Sequence, residues 1–142
     1  MELGGNAPFL VFEDADLDAA VDGAMLAKFR NIGQACTAAN RFIVHRSVAD
    51  EFARRVTERV EAFRPGRGRE ESGTIGALID NRAVAKADQL VQDAVGRGAT
   101  LRTGGSAIDG DGSFYQATVF SDVQAGSEIL REEIFGPVLA IV

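Results

Sequence analysis

The sequence predicts an α/β protein built on an open, mainly parallel, twisted sheet with flanking helices, and three observations predict it. Short apolar runs at residues 9–12 and 41–45 read as strands buried on both faces, and the chain closes in a third apolar strand. Between them lie stretches whose apolar residues recur at helical spacing. Helices that alternate with apolar strands call for parallel pairing through right-handed crossovers. No internal repeat or long linker divides the chain, so one domain is expected.

Each element has its own warrant. Residues 3–8, Leu-Gly-Gly-Asn-Ala-Pro, form a turn into the first strand. Asp16 is read as the cap of the first helix, because its carboxylate can accept from free backbone N–H groups and suits the positive helix end. Leu17, Ala20, Val21, Ala24 and Lys28 then share one stripe, with Met25 and Phe29 beside it. This helix should end near residues 31–33, leaving Cys36 just past it and residues 37–40 as one further short helical turn. After the second strand, Ser47 is read as the cap of a helix in which Val48, Phe52, Val56, Val60 and Phe63 recur at nearly every fourth position. Its charged faces are solvated surface. Residues 64–76 are loop. A third helix spans 81–97, with Val84, Ala87, Leu90, Val91, Ala94 and Val95 inward and Gly98 as its left-handed stop. A short strand at 100–102 follows. The glycine-rich stretch 104–113 lacks the spacing and the strand-to-helix placement of a phosphate cradle and reads as a surface loop. Residues 114–120 are β-prone and 122–128 form a turn.

Composition removes several function classes. With 142 residues, 46% hydrophobic and 25% charged, the chain can bury a single core and is not disordered. A net charge of −6 opposes nucleic-acid binding, which needs concentrated positive charge. No run of eighteen apolar residues and no basic-then-apolar leader is present, so neither a membrane nor a secretory route is expected, and the protein is read as cytoplasmic. One cysteine and one histidine leave no set of ligands for a structural metal.

The single cysteine, Cys36, organises the functional reading. A thiolate is a strong nucleophile, but an ordinary cysteine, with a pKa of about 8.5, is only a few per cent thiolate at neutral pH. Taken without context, a lone cysteine is more often a small buried hydrophobe. Context comes from three pieces: Glu2-Leu3-Gly4-Gly5, Gly33-Gln34-Ala35-Cys36 and Glu132-Glu133-Ile134-Phe135-Gly136-Pro137. In this order, with Pro8 and Asp14-Ala15-Asp16-Leu17-Asp18 between the first two, they resemble the aldehyde dehydrogenase superfamily over the whole chain. Within it, residues 29–41 with their Ala39-Asn40-Arg41 look most like succinate-semialdehyde dehydrogenases.

The resemblance implies a role for each matched position. Cys36 matches the nucleophile that attacks the aldehyde carbon, giving a thiohemiacetal and then a thioester. Glu2 matches the general base that activates the cysteine or the hydrolytic water. Glu133 matches the acid that holds the nicotinamide ribose hydroxyls, and Phe135 the apolar residue beside the nicotinamide ring. Leu3 falls near the carboxamide, and Lys86 where a lysine approaches the cofactor ribose, although Ala77 follows Gly76 where the family has proline. Asn31 takes a supporting role near the nucleophile. The implied cofactor is NADP or NAD, the substrate a small-molecule aldehyde, with succinate semialdehyde foremost, and the assembly a homo-oligomer. Family chains are much longer, so this one is read as part of a catalytic domain. The cofactor domain, one oxyanion donor and the oligomerisation segment then lie outside it. Two expectations follow. The isolated chain should be inactive, and as a catalytically silent α/β module it should self-associate through exposed edges.

Overall fold

The computed structural model describes residues 1, 3–69 and 74–142. Among these residues five strands form one sheet: β1 (Ala7–Val11), β2 (Ala39–Val44), β3 (Thr100–Thr103), β4 (Thr118–Ser121) and β5 (Val138–Ile141), in the spatial order β1-β2-β5-β4-β3. The pairs β1/β2, β2/β5 and β5/β4 are parallel, and only β3 runs antiparallel, against β4. Among the described residues three α-helices flank the sheet: α1 (Leu17–Phe29), α2 (Arg46–Glu61) and α3 (Asn81–Gly96). The expected open, mainly parallel α/β architecture is the one found.

Strand alternation sorts the core into two layers. Along β5, Leu139 and Ile141 face one side with Phe42, Val44 and Val119, where Val21 and Ala24 of α1 and Phe52, Val56 and Val60 of α2 cover them. Val138 and Ala140 face the other with Phe120, under Leu90, Val91 and Ala94 of α3. All four β5 residues are buried, and Val138, Leu139 and Ile141 each contribute roughly 1.5–3 kcal/mol.

The run at residues 9–12 is not buried on both faces. β1 is an edge strand, and Leu10 and Phe12 are 55% and 64% exposed. Pro8, which has no N–H to give a ladder, is tolerated at such an edge. The second strand is covered on one face only: Ile43, the register partner of Leu10, is 44% exposed, because α3 packs over β5 and β4.

Helix ends follow local chemistry, with two corrections. The Asp16 carboxylate accepts from the N–H groups of Asp18 and Ala19 at 3.0 and 3.2 Å, as the sequence suggests. The cap of α2 is His45, whose Nδ1 accepts from the Ser47 N–H at 3.4 Å, so the helix starts one residue before the expected Ser47 cap. Residues 37–40 add no helical turn. A single turn closes from Ala38 N–H to the Ala35 carbonyl at 3.0 Å, and Ala39 already begins β2. Gly98 stops α3 with φ +93°, and of the β-prone stretch 114–120 only the end joins the sheet.

Candidate functional site

The three sequence pieces converge because each immediately precedes a strand, and those strands are neighbours. Residues 3–6 lead into β1, residues 33–38 into β2 and residues 132–137 into β5. Since β1, β2 and β5 lie side by side and parallel, their amino ends share one edge of the sheet. Ligands of open α/β sheets more commonly lie outside the carboxyl ends. Here the chemistry-bearing side chains gather at the opposite edge.

Two glycines allow the three loops to touch. A Cβ on Gly5 would stand 1.7 Å from the Cys36 carbonyl oxygen, and one on Gly33 would stand 2.2 Å from the carbonyl oxygen of Gly136. Gly33 also has φ +74°, at the end of a left-handed run that includes Asn31 (φ 53°) and Ile32 (φ 62°). This run turns the chain sharply after α1, a strained conformation for residues with a Cβ. Asn31 holds the turn by donating from Nδ2 to the Gln34 carbonyl at 2.8 Å. Gln34 Oε1 in turn accepts from the Ile79 N–H at 2.9 Å, tying the Cys36 loop to the segment before α3.

Cys36 is a free, exposed thiol. It opens onto a cleft of about 790 Å³ that Lys86, Glu133 and Phe135 also line, together with Ile79, Asp80 and Arg82. Glu133 accepts from the Gly5 N–H through Oε1 at 2.9 Å. Phe135, with φ 51°, keeps its ring partly exposed (38%) at the cleft. Lys86 stands exposed on α3. Asp80 caps α3 through the N–H groups of Arg82 and Ala83, and the Ala83 N–H foremost, then the Arg82 guanidinium, hold its carboxyl below the ordinary range.

The structure therefore brings together four of the seven residues given a role in the sequence, and Asn31 holds the turn before Cys36. Leu3 is 84% exposed and does not line the cleft, although its neighbour Gly4 lies against Glu133, with a Cβ position 3.1 Å from Oε2. Glu2 lies outside the described residues. Among the described residues no group of three or more His, Cys, Asp or Glu could hold a metal ion, and no helix is long and apolar enough to cross a membrane.

Sequence reasoning missed two features. Arg30, at the end of α1, lines a hollow of about 200 Å³ with Ala35, Thr37 and Ala38, on the flank of the Cys36 loop. Its signal was a cation six residues before the thiol at a helix end. Lys28 is buried and donates to Asn40 Oδ1 at 3.1 Å. Its signal was a charge within an apolar stripe.

Comparison with known proteins is consistent along the whole chain. The sequence model described as "Aldehyde dehydrogenase family" matches residues 1–142. Succinate-semialdehyde dehydrogenase of Paenarthrobacter nicotinovorans is 55% identical over 141 residues, which is 99% of this chain and 31% of that protein. The NADP(+) succinate-semialdehyde dehydrogenase of Escherichia coli strain K12 is 48% identical over 137 residues, 96% of this chain and 28% of that protein. The crystal structure of succinate-semialdehyde dehydrogenase from Burkholderia pseudomallei superposes with a TM-score of 0.96 at 45% identity, covering 99% of this chain and 29% of that one. The chain thus spans about three tenths of the length of the curated relatives it matches.

Proposed function

The chain belongs to the aldehyde dehydrogenase family, and we propose that it is the part of a catalytic domain that oxidises succinate semialdehyde to a carboxylic acid with Cys36 as nucleophile. The observation that carries this reading is the exposed Cys36 thiol sharing one cleft with Glu133, Phe135 and Lys86.

The chain's own groups divide the work. The Cys36 thiolate forms a C–S bond to the aldehyde carbon as the carbonyl π electrons move onto oxygen, and a thioester results when the C–H bond of that carbon breaks with its electron pair, as hydride, and the oxygen electrons re-form C=O. One external group is required, a nicotinamide cofactor, NADP or NAD, which supplies the hydride acceptor. The side chains of the cleft fit it: Glu133 is an acceptor-only group suited to ribose hydroxyls, Phe135 offers an aromatic surface and Lys86 a cation, while Leu3, outside the cleft, is assigned to the carboxamide by the family resemblance alone. Glu2 is assigned as the base that takes a proton from the water attacking the thioester, after which the C–S bond breaks and the acid leaves. Succinate semialdehyde carries a carboxylate at the end remote from the aldehyde. We assign its recognition to the exposed Arg30 guanidinium, which lines the hollow flanking the Cys36 loop.

The reading is tested by grafting residues 1–142 in place of the matching segment of the Escherichia coli relative and following reduced-nicotinamide absorbance. Turnover of succinate semialdehyde is expected, with loss of at least a thousandfold in Cys36→Ala. Turnover that survives Cys36→Ala sinks the assignment. The isolated chain is expected to be silent.

A second reading is favoured by one observation. Leu10 and Ile43 pair in register on an uncovered face beside the β1 edge, and apolar surface of this kind drives association. The isolated chain is therefore expected to self-associate, and a strictly monomeric mass by light scattering at high concentration would contradict that.

A further inference from the structure

Lys28 occupies the last turn of α1 with no exposed surface, in a stripe otherwise filled by Val21, Ala24 and Phe29. An apolar side chain would fit that stripe without stripping water from an ammonium. Burial pushes the Lys28 pKa from 10.5 down to about 7. Such a residue calls for an account beyond packing.

Its contacts supply one. Lys28 Nζ donates to Asn40 Oδ1 at 3.1 Å, and Asn40, 1% exposed, donates from Nδ2 to the Gly5 carbonyl at 3.3 Å. The Gly5 N–H donates to Glu133, and the Gly5 Cα presses on the Cys36 carbonyl. An asparagine amide is nearly symmetric in shape, so its two ends exchange places unless a partner tells oxygen from nitrogen. Here two partners do so: the Gly5 carbonyl, which only accepts, takes Nδ2, and Lys28, whose ammonium only donates, takes Oδ1. With Oδ1 held by Lys28, the amide stays fixed with Nδ2 on Gly5, a strand-entry residue that meets both Glu133 and Cys36.

We propose that Lys28 is a positioning residue: by orienting Asn40 it fixes Gly5, and with Gly5 the registration of the Cys36 loop against Glu133. The significance of that registration rests on the function proposed above, whereas the registration itself can be read without turnover. An apolar side chain at this position would leave the buried Asn40 Oδ1 without the Lys28 donor, which accounts for a donor where the stripe calls for a hydrocarbon.

The test uses the 142-residue chain labelled with ¹⁵N and reads the Gly5 amide. In Lys28→Met, a volume-conserving change in an apolar stripe, the Gly5 N–H is expected to exchange at least tenfold faster and to move upfield as its bond to Glu133 loosens. The amides of Leu90 and Val91 on α3 should stay unchanged. Asn40→Ala should give the same signature, and Lys28→Met combined with Asn40→Ala should add nothing to Asn40→Ala alone. An unchanged Gly5 amide in either single variant, exchange raised equally in α3, or fully additive effects in the double variant would each overturn the proposal. In the graft, Lys28→Met is expected to lower kcat about tenfold while KM for the aldehyde stays within twofold, and a change confined to KM would also count against it. Absence of turnover in the unsubstituted graft defeats the functional reading alone, since the Gly5 amide decides the positioning role.

Discussion

The Cα of Gly5 lies against the carbonyl of Cys36 with no room for a methyl group, since a Cβ there would stand 1.7 Å from the oxygen. The obstacle is backbone, not the end of a flexible side chain, and cannot swing aside. The entry to β1 and the loop that carries the thiol therefore behave as one packed unit.

Gly5→Ala should break that unit. Overpacking of this kind costs about 1–3 kcal/mol, and the upper end is expected because neither partner is a rotatable group. Urea unfolding of the parent and variant checks this. The alkylation rate of Cys36 by iodoacetamide should change as well, and the reading is unambiguous because the chain has one cysteine. A variant with unchanged midpoint and unchanged alkylation would show that the loops are not coupled.

Lys28 should make stability depend on pH in an identifiable window. Below about pH 7 the lysine is charged in both states, and the penalty for burying that charge is fully present. Between about pH 7 and 10.5 the folded protein has released the proton while the unfolded chain keeps it, so stability rises with pH across this range. Each unit of pKa difference corresponds to about 1.4 kcal/mol. Lys28→Met removes the dependence. Its advantage over the parent should be largest near pH 6 and shrink toward pH 10, and parallel pH profiles for the two proteins would refute this.

Asp80 gives the opposite dependence. Its carboxyl is held below the ordinary range by the Ala83 N–H and the Arg82 guanidinium, so its stabilisation is present above the unfolded value of about 3.9 and is lost as pH falls through the folded value. Asp80→Asn keeps an acceptor at the α3 cap but does not titrate. It should flatten the acid limb of the stability curve at a small cost at pH 7, whereas Asp80→Ala, which removes the cap acceptor, should lower the melting temperature at pH 7 more than Asp80→Asn does. Thermal melts at pH 3 and pH 7 separate the two outcomes.

Arg30→Ala should act on substrate choice, not on fold. A charge-assisted hydrogen bond contributes about 1.5–3 kcal/mol, so kcat/KM of the graft for succinate semialdehyde should fall by roughly ten- to hundredfold. Oxidation of butyraldehyde, which lacks the carboxylate, should change by less than about twofold. Equal losses with both aldehydes would remove Arg30 from recognition.

The elements whose causes are local were legible in the residues. Asp16 caps α1 because its carboxylate reaches the N–H groups two and three positions on, and Gly98 stops α3 because it enters the left-handed region. The helical stripes and the α/β alternation needed only spacing, and the three short pieces around Cys36 needed only order. Near misses arose where two local candidates competed, as when His45 and not Ser47 capped α2.

What the tertiary structure decided depends on strand order. Nothing in residues 9–12 says that β1 has one neighbour, so only the sheet order shows Leu10 and Phe12 at an edge. Nothing near Cys36 places Glu133, almost a hundred residues later, across the same cleft. That follows because β5 inserts beside β2, aligning the amino ends of three parallel strands. The charge of Lys28 stood in plain view in its stripe, but its partner Asn40 belongs to β2, and packing α1 on the sheet is what brings the two together.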